Sequence, residues 1–293
     1  MNGLFLLDKP SGLSSSQCVY KIRKRLNISK IGHCGTLDPL ATGILPICIG
    51  EATKYSQYLT DDTKEYEVVI GLGIKTDTGD REGKIIKRDN KEFSEKALHQ
   101  VLKKFTGTYF QTPPMFSALK YKGKPMYYWA RKGVYLFRKD RKLNIEYIKL
   151  LSLSKESITL KIACSKGCYI RSLAEDICES IGTLGTVINL HRTRVGPFLG
   201  CQKVDLEKLC KESLKGHLIP VEEIFSGLYE VKINQLDLKK IINGQSIDYN
   251  APKYKKGIVK IYTDEGRFIG LGNLDFNKIY PKRLLSSISQ ESS

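Results

Sequence analysis

Apolar and polar positions alternate along this chain with periods that predict both helices and strands. The run LFLLDKPSG (residues 4–12) predicts a buried strand that ends in a turn, and EYEVVIGLGI (65–74) alternates well enough to be a second strand. In SSSQCVYKIRKRLN, Val19, Ile22 and Leu26 recur at three-to-four spacing behind serines that can cap a helix. The pattern therefore predicts a protein that mixes helices with strands.

Further segments extend this prediction toward the C-terminus. Helices are expected at 51–64 and 94–107, the latter with a serine cap and a glycine stop, and a loop leading into a helix at 166–182. Strands are expected at 44–50 and as a strand–turn–strand pair across 141–165. After VEEIFSG, which looks like a joint, short strand-like runs from Leu228 onward predict a small all-β appendage.

The charge of the chain indicates a globular protein that binds a polyanionic partner. The chain has 48 Lys and Arg against 31 Asp and Glu, a net charge of +17, which suits nucleic acid or an anionic membrane. Residues 111–135, the basic–aromatic segment, interleave aromatic and basic side chains with prolines, a composition that suits base stacking and phosphate contact. A surface loop with a few packed aromatics is the alternative interpretation.

Several classes of function lack their signatures here. No apolar run reaches eighteen residues, and LFLL is too short for a signal peptide, so we expect a cytoplasmic protein without a membrane anchor. The 8 cysteines form no CxxC pair and no zinc-ligand spacing with histidine, which indicates reduced thiols and no structural metal. Walker A, Rossmann and GxSxG motifs are also missing, so no cofactor is expected, and a monomer is the default expectation.

The stretch GHCGTLDPLATG (32–43) holds a single carboxylate, Asp38, among glycines and a proline. Glycines permit close backbone approach or positive φ, so such a loop can hold a carboxylate rigidly at a cleft; an ordinary tight turn is the alternative. Arg171 opens the predicted helix at 166–182, where it can pair with a carboxylate, grip phosphate or lie on the surface. Tyr66 can be an ordinary strand aromatic, and His33 an ordinary core histidine.

Taken in order, six blocks of this sequence resemble one family. They are LLDKPSGLSS, GHCGTLDPLATGILPICIGEATK, KEYEVVIGLGIKTDTGDREG, TPPMFSALKYKGKPMYYWARKG, CSKGCYIRSLAEDICESIG and LHRTRVGPF. The chain resembles the bacterial tRNA pseudouridine synthases of the B type across nearly its whole length.

This resemblance implies a role for each matching residue. Asp38 falls on the catalytic aspartate, Tyr66 on the tyrosine that stacks on the target base near C5, and Arg171 on the arginine that pairs with the aspartate. His33 matches the histidine that fills the space vacated by the flipped base. The remaining predicted substrate-binding residues are Tyr169 and Leu190 in the base pocket, Lys9 in a motif that packs beneath the site, and Lys120 in the insertion that closes on the tRNA.

The resemblance also implies an activity and a fold. The activity is that of an isomerase, an intramolecular transferase that converts uridine 55 in the T-loop of tRNA to pseudouridine by base flipping, with no cofactor or metal. The fold is α/β (α+β), a pseudouridine synthase fold with a central mixed, largely antiparallel sheet and a small PUA-like β domain. We predict a catalytic domain at 1–224, with the thumb-like insertion near 111–135, and the PUA-like RNA-binding domain at 225–293.

Two other functions fit part of the same sequence. A non-catalytic RNA-binding or RNA-chaperone protein would use the same basic surface, although this chain keeps the acid, the tyrosine and the arginine. A nucleoside or glycoside hydrolase acting through Asp38 is the second alternative. Such enzymes ordinarily place two carboxylates across the bond, and this loop has no second acid.

Overall fold

The computed structural model describes residues 1–60, 62–250 and 256–286. The helices are α1 (Ser15–Leu26), α2 (Ser56–Thr60), α3 (Glu95–Phe105), α4 (Met126–Ala130), α5 (Ile170–Ser180), α6 (Lys211–Lys215) and α7 (Gln235–Ile242), with 3₁₀ helices at Gly50–Tyr55 and Val221–Phe225. The first nine strands are β1 (Gly3–Lys9), β2 (Ile31–His33), β3 (Thr42–Ile49), β4 (Lys64–Leu72), β5 (Ile74–Thr76), β6 (Ile85–Arg88), β7 (Gly107–Gln111), β8 (Lys120–Tyr121) and β9 (Lys124–Pro125). The remaining strands are β10 (Arg141–Leu153), β11 (Ser157–Cys164), β12 (Gly185–Val195), β13 (Phe198–Leu199), β14 (Val204–Asp205), β15 (Tyr229–Ile233), β16 (Ile247–Asp248), β17 (Lys256–Thr263), β18 (Phe268–Asp275) and β19 (Lys278–Leu284).

A large mixed sheet organises the first part of the chain. Its strands follow the order β14-β1-β3-β12-β4-β11-β10-β7, with β2 beside β3 and β13 beside β12. Within this sheet the pairs β1–β14 and β3–β12 are parallel, and the other pairs are antiparallel. The predicted mixed, largely antiparallel sheet is therefore confirmed, and the parallel β3–β12 contact places the ends of two distant segments next to each other.

The main core lies between this sheet and the helices that cover it. Helix α1 begins at the Ser14 N-cap, whose side chain accepts from the Gln17 amide, and it buries Cys18, Val19, Ile22 and Leu26. Those side chains belong to one apolar cluster with the inner faces of the central strands and with α3 and α5. The apolar residues whose spacing predicted these elements are the ones that pack the elements together.

A second sheet, with strand order β15-β17-β18-β19-β16, follows the 3₁₀ helix at 221–225. The expectation of a purely β appendage was wrong, because α7 packs on this sheet between β15 and β16. Asn234 caps this helix by accepting from the Asp237 amide, and Ile241 is buried against the strands. Residues 251–255 and 287–293 of the predicted 225–293 domain lie outside the described residues.

The helix expected at 51–64 was also partly wrong, because most of that span forms a 3₁₀ helix followed by the single turn α2. The Lys64 ammonium donates to the Thr60 carbonyl at 2.7 Å and to the Leu59 carbonyl at 3.4 Å. These bonds satisfy the last carbonyls of the turn, so the helix ends there and the chain enters β4.

The two sheets share packing within the described ranges. Phe225 packs edge-on against Tyr55 and Tyr58 with ring centroids 5.7 and 5.2 Å apart, and the Tyr55 hydroxyl donates to the Arg283 carbonyl at 3.0 Å. The predicted division at residues 224 and 225 remains a prediction. In the part of the chain described here, no helix is long and apolar enough to cross a membrane.

Candidate active site

The loop between β2 and β3 carries Asp38 and is held closely by its surroundings. Gly35 and Gly43 have φ of +87° and +100°, a conformation that disfavours any side chain. A Cβ on Gly43 would lie 2.3 Å from the Arg192 carbonyl oxygen, so only glycine lets the loop re-enter the sheet beside β12. The loop is thus a tight turn that also holds Asp38 in place, so the two interpretations of the sequence do not exclude each other.

Lys9 supports this loop from beneath. Its ammonium donates to the carbonyls of Ala41 at 2.6 Å, Pro10 at 2.9 Å and Pro39 at 3.2 Å, and the residue is 1% exposed. Burial lowers the pKa of Lys9, while the nearby Cys18 and Asp38 oppose that shift. Lys9 was predicted to bind substrate, but here its ammonium faces the loop backbone and not the cleft.

Asp38 and Arg171 form an ion pair although 133 positions separate them in the chain. Arg171 Nε lies 2.8 Å from Asp38 Oδ2, and Nη2 lies 3.3 Å from Oδ1. The arginine side chain is 4% exposed and the aspartate 31%, so a buried cation presents a partly accessible carboxylate. The bidentate geometry fixes both the position and the plane of the carboxylate.

The guanidinium of Arg171 also donates hydrogen bonds to two backbone carbonyls. Nη1 donates to the Thr78 carbonyl at 2.7 Å, and Nη2 donates to the Phe116 carbonyl at 2.9 Å. Arg171 therefore connects the aspartate loop with the turn after β5 and with the start of the basic–aromatic segment.

Asp80 is a member of this site that the sequence analysis missed. Its Oδ2 lies 3.7 Å from Arg171 Nε, and its Oδ1 accepts from the Thr78 hydroxyl at 2.7 Å and from the Glu82 amide at 3.1 Å. The residue is buried. The sequence around it, TDTGDREG, is a polar turn rich in acids, which is a weak local signal for a site residue.

A pocket of about 310 Å³ opens beside the ion pair. Its walls include three of the predicted residues, Tyr66, Tyr169 and Leu190, together with Asp38 itself. Burial raises the pKa of Tyr66 to about 12, although Arg192 opposes the shift. Burial also raises the pKa of Tyr169. Both phenols are therefore protonated at neutral pH, and the pocket offers aromatic surface together with one carboxylate.

Two predicted residues lie away from this pocket. His33 lies on β2, where its Nδ1 is buried without a hydrogen-bond partner among the described residues, and burial lowers its pKa. Lys120 is exposed at the start of the β8–β9 hairpin. Their predicted contacts with RNA remain predictions. Among the described residues, no group of three or more His, Cys, Asp or Glu side chains is arranged to hold a metal ion.

Models of known protein families match this chain along most of its length. Residues 23–170 match the TruB family pseudouridylate synthase N-terminal domain. This chain belongs to the TruB family. Residues 171–226 match the tRNA pseudouridylate synthase B C-terminal domain, and residues 230–285 match the pseudouridine synthase II TruB C-terminal region.

Individual TruB relatives match over nearly their full length. The chain is 42% identical to a protein of Aromatoleum aromaticum named tRNA pseudouridine synthase B, over 99% of this chain and 94% of the relative. A Pseudomonas aeruginosa protein of the same name is also 42% identical, over 98% of this chain and 97% of the relative. Among solved structures, a chain of a Cbf5-Nop10-Gar1 complex superposes with a TM-score of 0.72 at 25% identity, covering 98% of this chain and 80% of that one.

Proposed function

We propose that this chain is a tRNA pseudouridine synthase that isomerises uridine 55 in the T-loop to pseudouridine. The full-length relatives carry the name tRNA pseudouridine synthase B, which supports tRNA as the substrate. The observation that carries the proposal is the Asp38–Arg171 ion pair at the mouth of a pocket lined with aromatic residues. In this pocket a flipped base can stack on an aromatic side chain and react with the carboxylate.

The isomerisation breaks the N1–C1′ bond, turns the detached uracil and joins C5 to C1′. Every atom of the product is present in the substrate, so the reaction is balanced without a co-substrate. Asp38 supplies the reactive carboxylate, and the guanidinium of Arg171 sets its orientation. The carboxylate attacks C1′, attacks C6, or removes the 2′ proton to give a glycal; all three routes begin from the same geometry.

Tyr66 provides the stacking surface and stands near the carbon that loses its proton. Because burial raises the pKa of Tyr66 to about 12, its phenol is protonated at neutral pH and cannot act as a strong base by itself. We therefore assign it base positioning, with transfer of the C5 proton assisted through water. Tyr169 and Leu190 complete the walls of the base pocket.

The basic–aromatic segment is proposed to close on the T-arm. Tyr128 has two lysine ammoniums over its ring, Lys124 at 4.4 Å and Lys132 at 4.7 Å, and Lys120 is exposed on the adjoining hairpin. Such a surface combines phosphate contact with stacking. His33 is proposed to fill the space that the flipped base leaves, which offsets part of the unstacking cost of a few kcal/mol.

We further propose a catalytic domain at 1–224, a PUA-like RNA-binding domain at 225–293, a cytoplasmic location and a monomeric state. The separate apolar cluster of the five-stranded sheet supports the two-domain division, because it lets that sheet bury its own core. A second apolar cluster joins Phe268 and Leu271 of this sheet to side chains of β1 and β3, which gives the two parts a common packing surface.

The rival function, RNA binding without catalysis, gives no reason for a carboxylate held by a buried arginine at a pocket. The deciding experiment measures tritium release from C5-tritiated uridine in a T-arm stem-loop, with wild type and Asp38→Asn compared at matched RNA binding. Release by the wild type alone supports the synthase. No release by either protein, despite tight binding, would favour the RNA-binding function.

A further inference from the structure

Arg192 lies where the aspartate loop meets the strand that carries Tyr66. Strand β12 runs between β3 and β4, parallel to the first and antiparallel to the second. In that register Arg192 pairs with Gly43, the second residue of β3 after the loop, on one side and with Tyr66 on the other. One residue is thus the cross-strand neighbour of both parts of the site.

The Arg192 side chain holds the loop on both sides of Asp38. Its Nε donates to the Ile44 carbonyl at 2.8 Å, and its Nη2 and Nη1 approach the carbonyls of Gly35 at 3.3 Å and Thr36 at 3.4 Å. Gly35 and Thr36 precede the aspartate, and Ile44 follows it. A guanidinium is rigid and has several N–H donors, so one arginine side chain can bind three such carbonyls at once.

The charge of Arg192 is unusual for a residue that serves the scaffold alone. The residue is 1% exposed, and no carboxylate among the described residues lies within ion-pair distance of its guanidinium. Burial lowers the pKa of Arg192, while Tyr66, Cys34 and Asp38 act in the opposite direction. A buried cation without a carboxylate partner is costly, and apolar packing would serve a scaffold at lower cost.

Arg192 also borders the base pocket that contains Asp38 and Tyr66. Its positive charge opposes the rise that burial causes in the pKa of Tyr66, its cross-strand neighbour. The same residue therefore binds the backbone that positions the carboxylate and lies across the strands from the tyrosine that lines the base pocket.

We propose that Arg192 is a positioning residue for the isomerisation, which keeps the Asp38 loop and Tyr66 at a constant separation. This inference rests on the proposed function, because it assigns a role within the same pocket. Replacing Arg192 lets the carboxylate shift relative to the base, and misplacement of a reacting group by about 1 Å costs about 100-fold in rate. RNA binding, which depends on the wider basic surface, stays unchanged.

The test uses the full chain with Arg192→Lys and Arg192→Gln. Tritium release from C5-tritiated T-arm RNA is measured in single turnover at saturating protein, and the Kd for the same RNA is measured separately. We expect the rate to fall about 100-fold for the glutamine variant and about tenfold for the lysine variant, which keeps the charge but not the fork. The Kd is expected to match the wild type for both.

A matched control separates this role from general destabilisation. Lys260 is also a buried cation, but it lies in the second sheet and pairs with Glu230 at 2.7 Å. Lys260→Met is expected to lower the Tm and to leave the single-turnover rate unchanged. If either Arg192 variant lowers the rate no more than this control at equal Tm, the proposal is overturned.

A second measurement keeps the inference testable if Arg192→Gln fails to fold. In a double-mutant cycle of Arg192→Lys with Tyr66→Phe, a coupled pair gives non-additive effects on the rate, whereas additive effects would overturn the link to Tyr66. A lysine variant with the wild-type rate would overturn the proposal as well. No release by the wild type would refute the proposed function itself, whereas active variants beside an active wild type would refute only the role of Arg192.

Discussion

Replacing Arg171 by lysine is the sharpest test of how the carboxylate is held. The guanidinium makes two hydrogen bonds to Asp38 and one each to the carbonyls of Thr78 and Phe116. A lysine ammonium keeps the positive charge, but it cannot reproduce the bidentate contact or reach both carbonyls from the same position. The substitution therefore changes geometry while it conserves net charge.

The size of the effect follows from the bonds that are lost. A hydrogen bond to a charged group contributes about 1.5–3 kcal/mol, and the variant loses at least one of the two bonds to Asp38 together with its fixed plane. A loss of about 3 kcal/mol in the transition state corresponds to a rate about 100-fold lower. The unpaired Thr78 and Phe116 carbonyls lower the free energy of unfolding in addition.

The assay is single-turnover tritium release from the T-arm RNA at saturating protein, together with the RNA Kd and the Tm. Arg25→Lys is the matched control, because Arg25 also bonds backbone carbonyls and a carboxylate, those of Leu206 and Glu207, but on the surface of α1. The control should keep the wild-type rate. An Arg171→Lys enzyme as fast as that control would refute the argument that the guanidinium fork positions the aspartate.

Three further predictions concern backbone geometry and titration. Gly43→Ala should lower the free energy of unfolding in urea by well over the roughly 1 kcal/mol expected for Gly12→Ala. Both glycines have positive φ, but only at position 43 would the added Cβ lie 2.3 Å from the Arg192 carbonyl oxygen; equal losses would contradict this. Burial alone would raise the pKa of Glu65, but hydrogen bonds from neighbouring hydroxyls and a lysine outweigh it and lower that pKa from 4.5 to about 2. This shift stabilises the folded state by about 3 kcal/mol above pH 4.5, and the contribution is lost as the pH falls toward 2. Glu65→Gln should therefore make the free energy of unfolding depend less on pH in this range. An unchanged pH dependence would refute the assignment. Because burial raises the pKa of Tyr66 to about 12, the rate should show no step from this phenol between pH 8 and 10, and a step there that Tyr66→Phe removes would contradict the shift.

The candidate site was partly accessible from the sequence. The glycine and proline pattern indicated that Asp38 lies in a constrained loop, and the resemblance identified its partner Arg171, which the structure places 2.8 Å away. Arg192 had a usable signal as well. It follows Leu190 by two positions, and residues two apart in a strand share a face, so a pocket residue at 190 indicated that 192 belongs to the same side of the sheet.

Other features needed the fold. Asp80 lies in a polar turn of a common kind. The residues around it in the sequence do not indicate that its Oδ2 lies 3.7 Å from Arg171 Nε. Lys9 ends an apolar strand, where a lysine is ordinarily exposed to solvent. Its ammonium instead donates to the adjacent Pro10 carbonyl and to two carbonyls of a loop about thirty positions away. The short helix α7 was missed because its strand neighbours dominated the pattern, although Asn234 offered a cap.

Local chemistry was enough to assign most elements of this protein, since caps, glycine turns and apolar periods act between residues close in the chain. The helix behind Ser14, the loop around Asp38 and the strand holding Tyr66 could all be predicted in this way. Which charges meet in the interior could not be predicted locally, because a buried cation is stable only where distant segments bring it oxygen atoms. The position of β12 between β3 and β4 brings Arg192 to backbone carbonyls on both sides of Asp38, and α5 brings Arg171 to the carboxylate itself.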